Sequence, residues 1–560
     1  MDNKTIAKTI KRYAQLMELH GENPFRTKAV ASVAYKLDKL PFAVASQTTE
    51  ALSDVPGVGK STAQKIESLL TTGSFPELDK LLDATPKGIL DMLSINGLGP
   101  KKIQIIWQAL GIETIGELYY ACNENRLITA KGFGLKTQEE IKRAIEFSVA
   151  NQGWFLYAKV EKLAAEVLAG LQELLPHGRK IAYTGDFRRK CEILQSVDIL
   201  VEASRSELAE AVTKMGTLSI QELDDPAQLE AKSETGTGFR FLTADPQSFH
   251  RQLLISTGSD GHLRQLDELL AESQLPDFDS EQAIYRSLGL QYIEPELREG
   301  TNEIALAGAN ALPELIRYAD LRGTLHNHST YSDGVNTLEE MAAYCRDELR
   351  LEYLGICDHS RTAVYANGLP VERVLEQWAE IDALNARFAP FRIFKGIESD
   401  ILGDGSLDYP DELLAGFDFV VASVHSNLHM DAEKATDRLI RAIENPYTTI
   451  LGHPTGRLLL SRAGYPIDYQ RVIDACAANG VAIEINANPL RLDLDWRWHR
   501  YAVEKGVLLS INPDAHRNSG FHDMQYGVHV ARKGGITAAD CLNTFTAEQI
   551  SKYFNQRKRQ

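Results

Sequence analysis

In the C-terminal part of the chain, short apolar segments alternate with polar clusters and helical stretches. Between residues 321 and 560 this unit recurs about seven times. The alternation is typical of a (β/α) barrel, in which parallel strands end on one shared face that carries the active site. We therefore predict a TIM-like (β/α)7 barrel whose polar clusters meet in space. The clusters are GTLHNHSTYSDG (323–334), LGICDHS (354–360), FKGIESDI (394–401), VASVHSN (421–427), ILGHPTG (450–456), AIEINANP (482–489) and LSINPDAH (509–516).

The polar clusters contain six histidines and three acids that are candidate metal ligands. They are His326, His328, Asp333, His359, Glu398, His425, His453, Asp514 and His516. Residues two apart at a strand end, such as His326 and His328, share one face and can chelate one ion. Imidazoles with carboxylates suit zinc, manganese or iron. A lone histidine on a strand is more often a packed core residue, but six at consecutive strand ends indicate two or three divalent ions.

Length and composition limit the class of protein. The 560 residues, 44% hydrophobic and 24% charged, predict a folded chain of about three or four domains. Six scattered cysteines without a C-x-x-C pair argue against a disulfide framework or a zinc ribbon. The sequence has no apolar run of roughly 18 residues and no apolar block typical of a signal peptide. We therefore expect a cytoplasmic protein without a membrane partner.

Three G-x-G segments recur in the first 150 residues, roughly 40 residues apart. They are VPGVGKSTAQKI (55–66), INGLGPKKIQII (95–106) and AKGFGLKTQEEI (130–141). The first glycine allows a tight turn, and the N-terminus of the next helix offers free N–H groups to a phosphate. One copy alone would be an ordinary capped helix hairpin, but three copies favour contact with a nucleic-acid backbone. The predicted contact residues are Gly57, Gly59, Lys60, Gly97, Gly99, Lys101, Lys102, Gly132, Gly134 and Lys136.

The net charge of −17 is unevenly distributed along the chain. Residues 1–140 contain 17 Lys and Arg against 16 Asp and Glu, whereas the remainder contains 43 against 61. Acidic surfaces repel phosphates, so a uniformly acidic chain would argue against a nucleic-acid partner. The acidic excess belongs to the later part, and nucleic-acid binding by the first part is therefore compatible with the composition.

The motifs resemble those of a known family. The G-x-G copies resemble helix–hairpin–helix motifs, and GENPFRTKAVASVAYKL (21–37) resembles the N-terminal domain of family X DNA polymerases. H-x-H followed by D-G, then D-H-S, G-I-E, V-H-S, G-H-P and D-A-H, is similar to the metal motifs of the polymerase-and-histidinol-phosphatase (PHP) domain. The order of these parts, joined by YIEPELREGTNEI (292–304), resembles the bacterial DNA polymerase X family.

The resemblance implies a multidomain chain with an all-α N-terminal part, an α+β nucleotidyltransferase-like centre and a C-terminal PHP barrel. Apolar segments at 179–185 and 197–203, alternating with helical stretches, agree with an α+β centre. The expected domains are an N-terminal helical domain with the first hairpin (1–90), a fingers-like helical region with further hairpins (91–150), a degenerate palm and thumb region (151–300), a helical linker (301–320) and a metal-dependent phosphoesterase domain (321–560).

The same resemblance implies three divalent ions and a set of ligands for each. The first ion would bind His326, His328, Glu398 and Asp514, which form the catalytic set. The second would bind Asp333, His359 and His516, and the third would bind Glu398, His425 and His453. Arg457, Asn486, Asn488 and Arg491 would contact the substrate, although Arg491 is equally consistent with a surface residue and Asn486 with a residue behind the ligands.

The implied activity is manganese-dependent 3′-5′ exonuclease activity, with related cleavage at abasic sites or of 3′-phosphates in base-excision repair. The implied partner is gapped, 3′-ended or abasic DNA bound without sequence preference, and the implied state is a monomer.

The polymerase motifs of this family are incomplete here. Nucleotidyl transfer needs three carboxylates that hold two magnesium ions. In TGDFRRKCEILQSVDILV (184–201), Asp198 is the second acid of the usual D-x-D pair, and Ser196 stands at the first. Asp186 replaces the serine of the usual G-S pair, which puts negative charge where triphosphate oxygens would bind.

The third acid of the polymerase pattern is also missing. Aligning GFRFLTADPQSF (238–249) on the family pattern places Arg240 at this position, unless a bulge brings Asp245 there instead. We therefore expect polymerase activity to be lost or very weak, without a working magnesium pair.

Three other functions are compatible with parts of the sequence. A phosphatase for a small phosphomonoester would use the PHP motifs but would leave the three hairpin motifs without a role. An active gap-filling polymerase is opposed by the missing acids. A DNA-binding scaffold without activity is opposed by the nine intact ligand positions.

Overall fold

The computed structural model describes residues 1–37, 40, 42–55, 57–95, 97–150, 153–221, 228–270 and 278–557. The chain forms two compact units, Met1–Glu146 and Phe147–Gln560. Within the described residues, no helix is both long and apolar enough to cross a lipid bilayer.

The regular elements that the structure describes in the first unit are helices. A shared core of apolar side chains, among them Ile10, Tyr13, Leu37 and Ile66, holds its first helices together. A π-helical segment, Ile105–Ala109, continues α7. The helices are α1 (Asn3–Leu19), α2 (Pro24–Leu37), α3 (Thr49–Ser53), α4 (Lys60–Thr72), α5 (Pro76–Asp83), α6 (Lys87–Met92), α7 (Pro100–Gln104), α8 (Ile115–Asn123) and α9 (Leu135–Ala150).

The three G-x-G segments have the same local structure. The first glycine of each has a positive φ, with values of 93° at Gly57, 88° at Gly97 and 92° at Gly132. An L-residue is strained in this region, so glycine is required for the turn. The middle residues, Val58, Leu98 and Phe133, are buried and anchor each turn to the unit. The next helices, α4, α7 and α9, begin immediately after the second glycine.

The second unit begins with a mixed five-stranded sheet in the order β2-β4-β7-β6-β5. β4 and β7 are parallel, whereas the other neighbours in this sheet are antiparallel. A separate two-stranded ladder joins β1 and β3. The strands are β1 (Phe155–Leu156), β2 (Ile181–Thr184), β3 (Ile193–Leu194), β4 (Val197–Val201), β5 (Leu218–Gln221), β6 (Gln228–Ser233) and β7 (Gly238–Thr243).

Helices cover this sheet and complete the predicted α+β region. Val160, Val167 and Leu208 from two of these helices share a buried core with Ile199 and Phe241 of the sheet. The helices are α10 (Tyr157–Leu174), α11 (Gly185–Arg188), α12 (Arg205–Met215), α13 (Phe249–Thr257), α14 (Asp260–Leu270) and α15 (Glu281–Ser287).

The segment 301–320, expected as a helical linker, is helical only in part. α16 (Glu303–Gly308) and a 3-10 turn, Tyr318–Asp320, are separated by irregular chain. Asn310 has a φ of 53°, and Pro313 lacks an amide hydrogen, so an α-helix cannot continue through this segment.

The rest of the second unit is the predicted barrel. Its strands are parallel and follow one another in chain order. The two edges meet through a bridge between Asn327 and Ala515, where the His328 amide donates to the Ala515 carbonyl at 2.9 Å. The strands are β8 (Gly323–Thr324), β9 (Tyr353–Ile356), β10 (Arg392–Asp400), β11 (Phe419–Ser423), β12 (Ile450–Leu451), β13 (Ala482–Asn486) and β14 (Leu509–Asn512).

Helices surround the parallel strands, as in TIM-like barrels. Together with the helical first unit and the mixed sheet, this (β/α)7 architecture confirms the predicted fold class. The helices are α17 (Leu338–Asp347), α18 (Val371–Phe388), α19 (Asp411–Leu414), α20 (Ala432–Glu444), α21 (Tyr469–Asn479), α22 (His499–Glu504), α23 (Met524–Lys533) and α24 (Ala547–Arg557).

Candidate metal centre

The nine side chains predicted from the sequence as ligands lie on one face of the barrel. All come from strand C-termini or from the loops that follow them, because parallel strands end on the same side. Their common location is therefore observed, whereas their role as metal ligands stays a prediction. They are His326, His328, Asp333, His359, Glu398, His425, His453, Asp514 and His516.

Glu398 is at the centre of this group. Its Oε1 lies 3.0 Å from Nε2 of His453, 3.2 Å from Nε2 of His425 and 3.3 Å from Nε2 of His326. Its Oε2 lies 2.8 Å from Nδ1 of His359. One carboxylate thus contacts imidazoles from four different strand ends, which suits a ligand shared between ions.

Two aspartates contact the remaining histidines. Oδ1 of Asp514 lies 3.0 Å from Nε2 of His328 and 3.7 Å from Nε2 of His326. Oδ1 of Asp333 lies 3.3 Å from Nε2 of His516. Asp514 has a φ of 54°, a conformation that aspartate tolerates better than most residues and that is common at functional sites.

The ligand atoms fall into three overlapping groups, each within 4.8 Å. Eight of the nine predicted ligands belong to these groups. The ninth, His453, belongs to none of them but contacts Glu398. The groups are His328, Asp333, His359 and His516; His326, His328 and Asp514; and His359, Glu398 and His425.

The residues present fit divalent cations. Nε2 of His326, both ring nitrogens of His328 and both carboxylate oxygens of Asp333 are buried and make no hydrogen bond among the described residues. Leaving polar atoms buried and unbonded is costly, so such atoms in one pocket call for a bound partner. Imidazole nitrogens and carboxylate oxygens are the donor set of zinc, manganese and iron.

The pKa values in the pocket favour ionised acids. Although burial opposes charge, the surrounding histidines hold the pKa of Glu398 and that of Asp514 well below their usual values. Burial, together with His516 and His359, lowers the pKa of His328 to about 3. The pocket thus offers anionic oxygens beside an imidazole that is neutral at pH 7, and both are the forms that bind metals.

Two buried acids that the sequence analysis did not select support the histidines from behind. Nδ1 of His326 lies 2.6 Å from Glu484 Oε2, and Nδ1 of His425 lies 2.5 Å from Asp400 Oδ1. These contacts leave Nε2 of each ring directed towards Glu398. Glu484 lies two residues before Asn486, and Asp400 lies two residues after Glu398. Side chains two apart on a strand share one face, and this spacing was the sequence signal that could have identified both acids.

A third buried acid, Asp358, holds the loop after β8. It accepts the amide hydrogens of Ser329 at 2.8 Å and Ser332 at 3.1 Å, and Gln377 donates to it at 2.6 Å. Burial raises the pKa of Asp358, against these hydrogen bonds. Its contacts define the path of the chain between His328 and Asp333.

Two of the predicted substrate contacts are used within the protein. Arg457 donates to Asp495 at 2.5 Å and to the Arg491 carbonyl at 2.9 Å. The amide oxygen of Asn488 accepts from the Leu490 amide at 3.1 Å. These contacts assign both side chains to shaping the loop after β13, and a direct substrate contact by either stays a prediction.

The other two predicted substrate contacts lie beside the ligands. Asn486 donates to Glu484 at 2.9 Å and to Asp514 at 3.1 Å, and whether it contacts the substrate or only the ligands stays a prediction. Arg491 is buried, with Nε 3.9 Å from Asp514 Oδ2, and is therefore not a surface residue. It adds a positive charge at the edge of the pocket.

The polymerase-like position differs chemically from a two-metal site. β4 and β7 pair in continuous register, with Asp198 opposite Arg240 and no bulge between them. Arg240 Nε donates to Asp198 Oδ1 at 3.1 Å, and a second contact joins the same groups. Ser196 donates to Asp198 at 2.6 Å. Asp245 lies beyond the end of β7, and the assignment of Arg240 to the position of the third acid stays a prediction.

Arg188 and Arg189 beside this position are also engaged. Arg188 donates to the Glu281 carboxylate at 3.1 Å, and Arg189 donates to the Glu299 carboxylate at 3.1 Å. Asp186 pairs with Arg189. The acid that replaces the usual serine therefore faces a cation of the protein itself.

The predicted hairpin residues are exposed around the helix starts. Lys60, Lys101 and Lys136 are exposed in the first turn of α4, α7 and α9. Lys102 is partly buried and donates to the Gly97 carbonyl at 3.2 Å. No described atom lies within 4 Å of a Cβ built at the second glycines, Gly59, Gly99 and Gly134, so that side of each turn is open to an outside backbone.

The chain is similar to known families and proteins along most of its length. Residues 1–75 match a helix-hairpin-helix domain, residues 89–146 a SAM-like helix-hairpin-helix tandem, and residues 324–488 the PHP domain. A DNA polymerase/3′-5′ exonuclease PolX from Bacillus subtilis (strain 168) is 33% identical over 578 aligned positions, covering 99% of this chain and all of that protein.

Shorter similarities involve proteins described as probable phosphatases. One from Thermoanaerobacter sp. (strain X514) is 30% identical over 201 residues, 34% of this chain and 79% of that protein. Another from Caldanaerobacter subterraneus subsp. tengcongensis is 41% identical over 177 residues, 30% of this chain and 67% of that protein. Because the similarity to PolX extends over both whole chains and the hairpin and PHP matches agree with it, the chain belongs to the bacterial DNA polymerase X family with a PHP domain.

Proposed function

We propose that this chain is a metal-dependent phosphoesterase that hydrolyses DNA at 3′ ends, as a 3′-5′ exonuclease or in processing abasic sites. The observation that supports this most is the gathering of six imidazoles and three carboxylates in one pocket on the barrel face. The proposed ligands of three Mn²⁺, Zn²⁺ or Fe²⁺ ions are His326, His328, Asp333, His359, Glu398, His425, His453, Asp514 and His516.

The pocket residues would have three roles: to hold the metal ions, to orient the ligand rings and to attract the phosphate. Divalent ions held there would activate water and neutralise charge on the phosphate. Glu398 would help to hold the ions, since both of its carboxylate oxygens contact imidazoles of the pocket. Glu484 and Asp400 would orient two ligand rings through their Nδ1 atoms. Arg491 would attract the phosphate at the rim of the pocket.

The helix–hairpin–helix motifs would bring DNA to the protein. Their helix N-termini and exposed lysines suit phosphate oxygens and have no means to read bases. We propose that gapped, 3′-ended or abasic DNA is bound in this way by a monomer acting in DNA repair. The domain limits expected from the sequence, with the phosphoesterase at residues 321–560, are part of the same proposal.

We propose further that polymerase activity is lost or very weak. Four residues lie side by side across the central sheet, namely Thr184, Asp198, Arg240 and Glu230, each opposite the next in register. Arg240 thus lies between two acids and supplies the positive charge that magnesium would otherwise bring. At an effective dielectric near 20, a divalent ion about 4 Å from this arginine would be repelled by roughly 8 kcal/mol before screening.

Digestion of labelled single-stranded, gapped and abasic DNA with added Mn²⁺, Zn²⁺ or Fe²⁺ tests the proposal. We expect cleavage from the 3′ end by the wild-type chain and none by the His326→Ala/His328→Ala variant. A variant of an exposed histidine of the same barrel, His429→Ala, is the control and should cleave like wild type. Cleavage of DNA by the double variant would remove the barrel site from consideration.

A phosphatase for small phosphomonoesters is the second candidate. The partial similarity to proteins described as probable phosphatases favours it. The same metal-supplemented preparations should therefore also receive histidinol phosphate. Hydrolysis of this compound without cleavage of any DNA would support the phosphatase over the exonuclease.

A further inference from the structure

The loop after β9 places an aromatic side chain beside the metal pocket. Tyr365 lies in the 3-10 turn Val364–Ala366. Its ring centroid is 6.2 Å from that of His359 and 6.5 Å from that of His425, two of the proposed ligands. Tyr365 is not part of the donor groups and was not selected from the sequence.

The residue that precedes Tyr365 exposes an apolar side chain. Val364 is 81% exposed. Val335, in the loop after β8, and Leu460, in the loop after β12, are exposed on the same face of the barrel. An exposed apolar side chain beside a site is consistent with a ligand surface, although single exposed side chains are also common.

The turn that carries Tyr365 is held at both ends. On one side, Thr362 donates through Oγ1 to Asp400 at 2.8 Å and through its amide to Asp408 at 2.8 Å. On the other side, Asn367 donates to the Tyr331 carbonyl at 3.2 Å. The Asp400 contact ties the turn to His425, because Asp400 also contacts that ring. The ring of Tyr365 therefore has a defined position relative to the ligands.

The position of the ring suits a nucleobase. A phosphate held among the ligands would carry its sugar and base next to the pocket, and the Tyr365 ring lies near two ligand rings there. Bases of any identity stack on aromatic rings, so such a contact would be independent of sequence. A small phosphomonoester without a base would gain nothing from it.

We propose that Tyr365, with Val364 beside it, forms a subsite for the base of the 3′-terminal nucleotide. This inference rests on the proposed exonuclease function and deepens it, because it explains how one metal pocket would favour a nucleotide end over an end without a base.

The test compares two 3′ ends on otherwise identical single-stranded DNA, one ending in deoxyadenosine and one in a tetrahydrofuran abasic analogue. The quantity measured is the ratio of kcat/KM for the two ends. We expect Tyr365→Leu to lower this ratio about tenfold, which is ~1.4 kcal/mol and lies at the lower end of base stacking on aromatic residues. Tyr365→Phe should keep the ratio within twofold, because the ring is retained.

Tyr318→Leu is the matched control. Tyr318 is also exposed but precedes β8, at the end of the barrel opposite the pocket, and its substitution should leave the ratio unchanged. An unchanged ratio in Tyr365→Leu, or an equal fall in Tyr365→Phe, would overturn the subsite. Failure of the wild-type chain to cleave either DNA would instead refute the exonuclease function, and the subsite with it.

A binding measurement on the wild-type chain gives a second readout. The probe is DNA with a 3′-terminal 2-aminopurine, whose last linkage is a phosphorothioate that resists cleavage. Stacking on Tyr365 should quench the fluorescence of the probe on binding, and Tyr365→Leu should bind without that quenching. Equal quenching in both proteins would contradict the subsite.

Discussion

Asp198 and Arg240 lie directly opposite each other on parallel strands β4 and β7, and two hydrogen bonds join the carboxylate to the guanidinium. Ser196 also donates to this carboxylate, at 2.6 Å. The structure thus pairs Asp198 with a cation of the protein itself.

We therefore expect Asp198→Ala to change neither of two activities. Primer extension on gapped DNA with Mg²⁺ or Mn²⁺ should be undetectable before and after the substitution, and 3′ cleavage should stay within twofold of wild type. Robust templated incorporation by the wild-type chain that vanishes in Asp198→Ala would show that the polymerase site works.

Substitution of Glu484 should weaken metal binding without removing a ligand. Glu484 and His326 are both fully buried, and Glu484 Oε2 lies 2.6 Å from the ring Nδ1. A glutamine keeps the size but loses the charge that fixes the ring, so Glu484→Gln should lower the affinity for Mn²⁺ by roughly 10- to 100-fold. Calorimetric titration of the metal-free protein measures this.

An exposed glutamate of the barrel provides the control for that titration. Glu548 lies on α24 away from the pocket, and Glu548→Gln should bind metal like wild type. Equal affinity in Glu484→Gln and wild type would mean that the buried carboxylate does not tune the ligand.

The lysines of the three hairpins should determine the salt dependence of DNA binding. Lys60, Lys101 and Lys136 are exposed at three helix starts. If each neutralises one phosphate, replacing all three by alanine should reduce the slope of log affinity against log salt by about 3. Fluorescence anisotropy with labelled gapped DNA measures the slope.

A control with the same change of charge uses the exposed lysines of α1. Lys4→Ala/Lys8→Ala/Lys11→Ala removes three charges from the same unit but none from a hairpin. An equal loss of slope in both triple variants would indicate general electrostatic attraction rather than contact at the hairpins.

A buried ion pair in the second unit should make stability depend on pH. Arg298 is fully buried and donates to Glu281 at 2.6 Å. Burial alone would raise the pKa of Glu281, but Arg188 and Arg298 hold it below its usual value. This carboxylate therefore stabilises the fold above the pKa of the unfolded chain, and its contribution is lost as pH falls through the lower folded pKa.

Arg298→Met should lower the free energy of unfolding by roughly 3 kcal/mol at pH 7, because it leaves Glu281 with one cation instead of two. The difference from wild type should narrow in acid, once Glu281 is protonated. Urea unfolding at pH 7 and below pH 4 measures it. A Glu281→Gln/Arg298→Met variant that is as unstable as Arg298→Met alone would contradict this account.

Much of the fold and of the candidate pocket was predictable from local patterns. Apolar segments followed by polar clusters predicted parallel strands with a common C-terminal face, so side chains as distant in sequence as His326 and His516 could be expected to meet. The sequence alignment placed Arg240 at the third acid of the polymerase pattern, and this assignment stays a prediction. The structure adds that Arg240 pairs with Asp198 across β4 and β7.

Only the tertiary structure decided which partner each polar side chain has. Glu484 lies 158 residues from His326 in the chain. Its spacing of two from Asn486 places it on the pocket face, but only the structure shows that it contacts the His326 ring. The same holds for Arg457, whose bonds go to Asp495 and to a nearby carbonyl rather than outward. The alternation of residues in a sequence predicts which chemical groups lie on a face of a sheet. Which of these groups form hydrogen bonds depends on the distances between strands and loops that are far apart in the chain. Hydrogen bonds act over only about 3 Å, so these distances are decided by the tertiary structure.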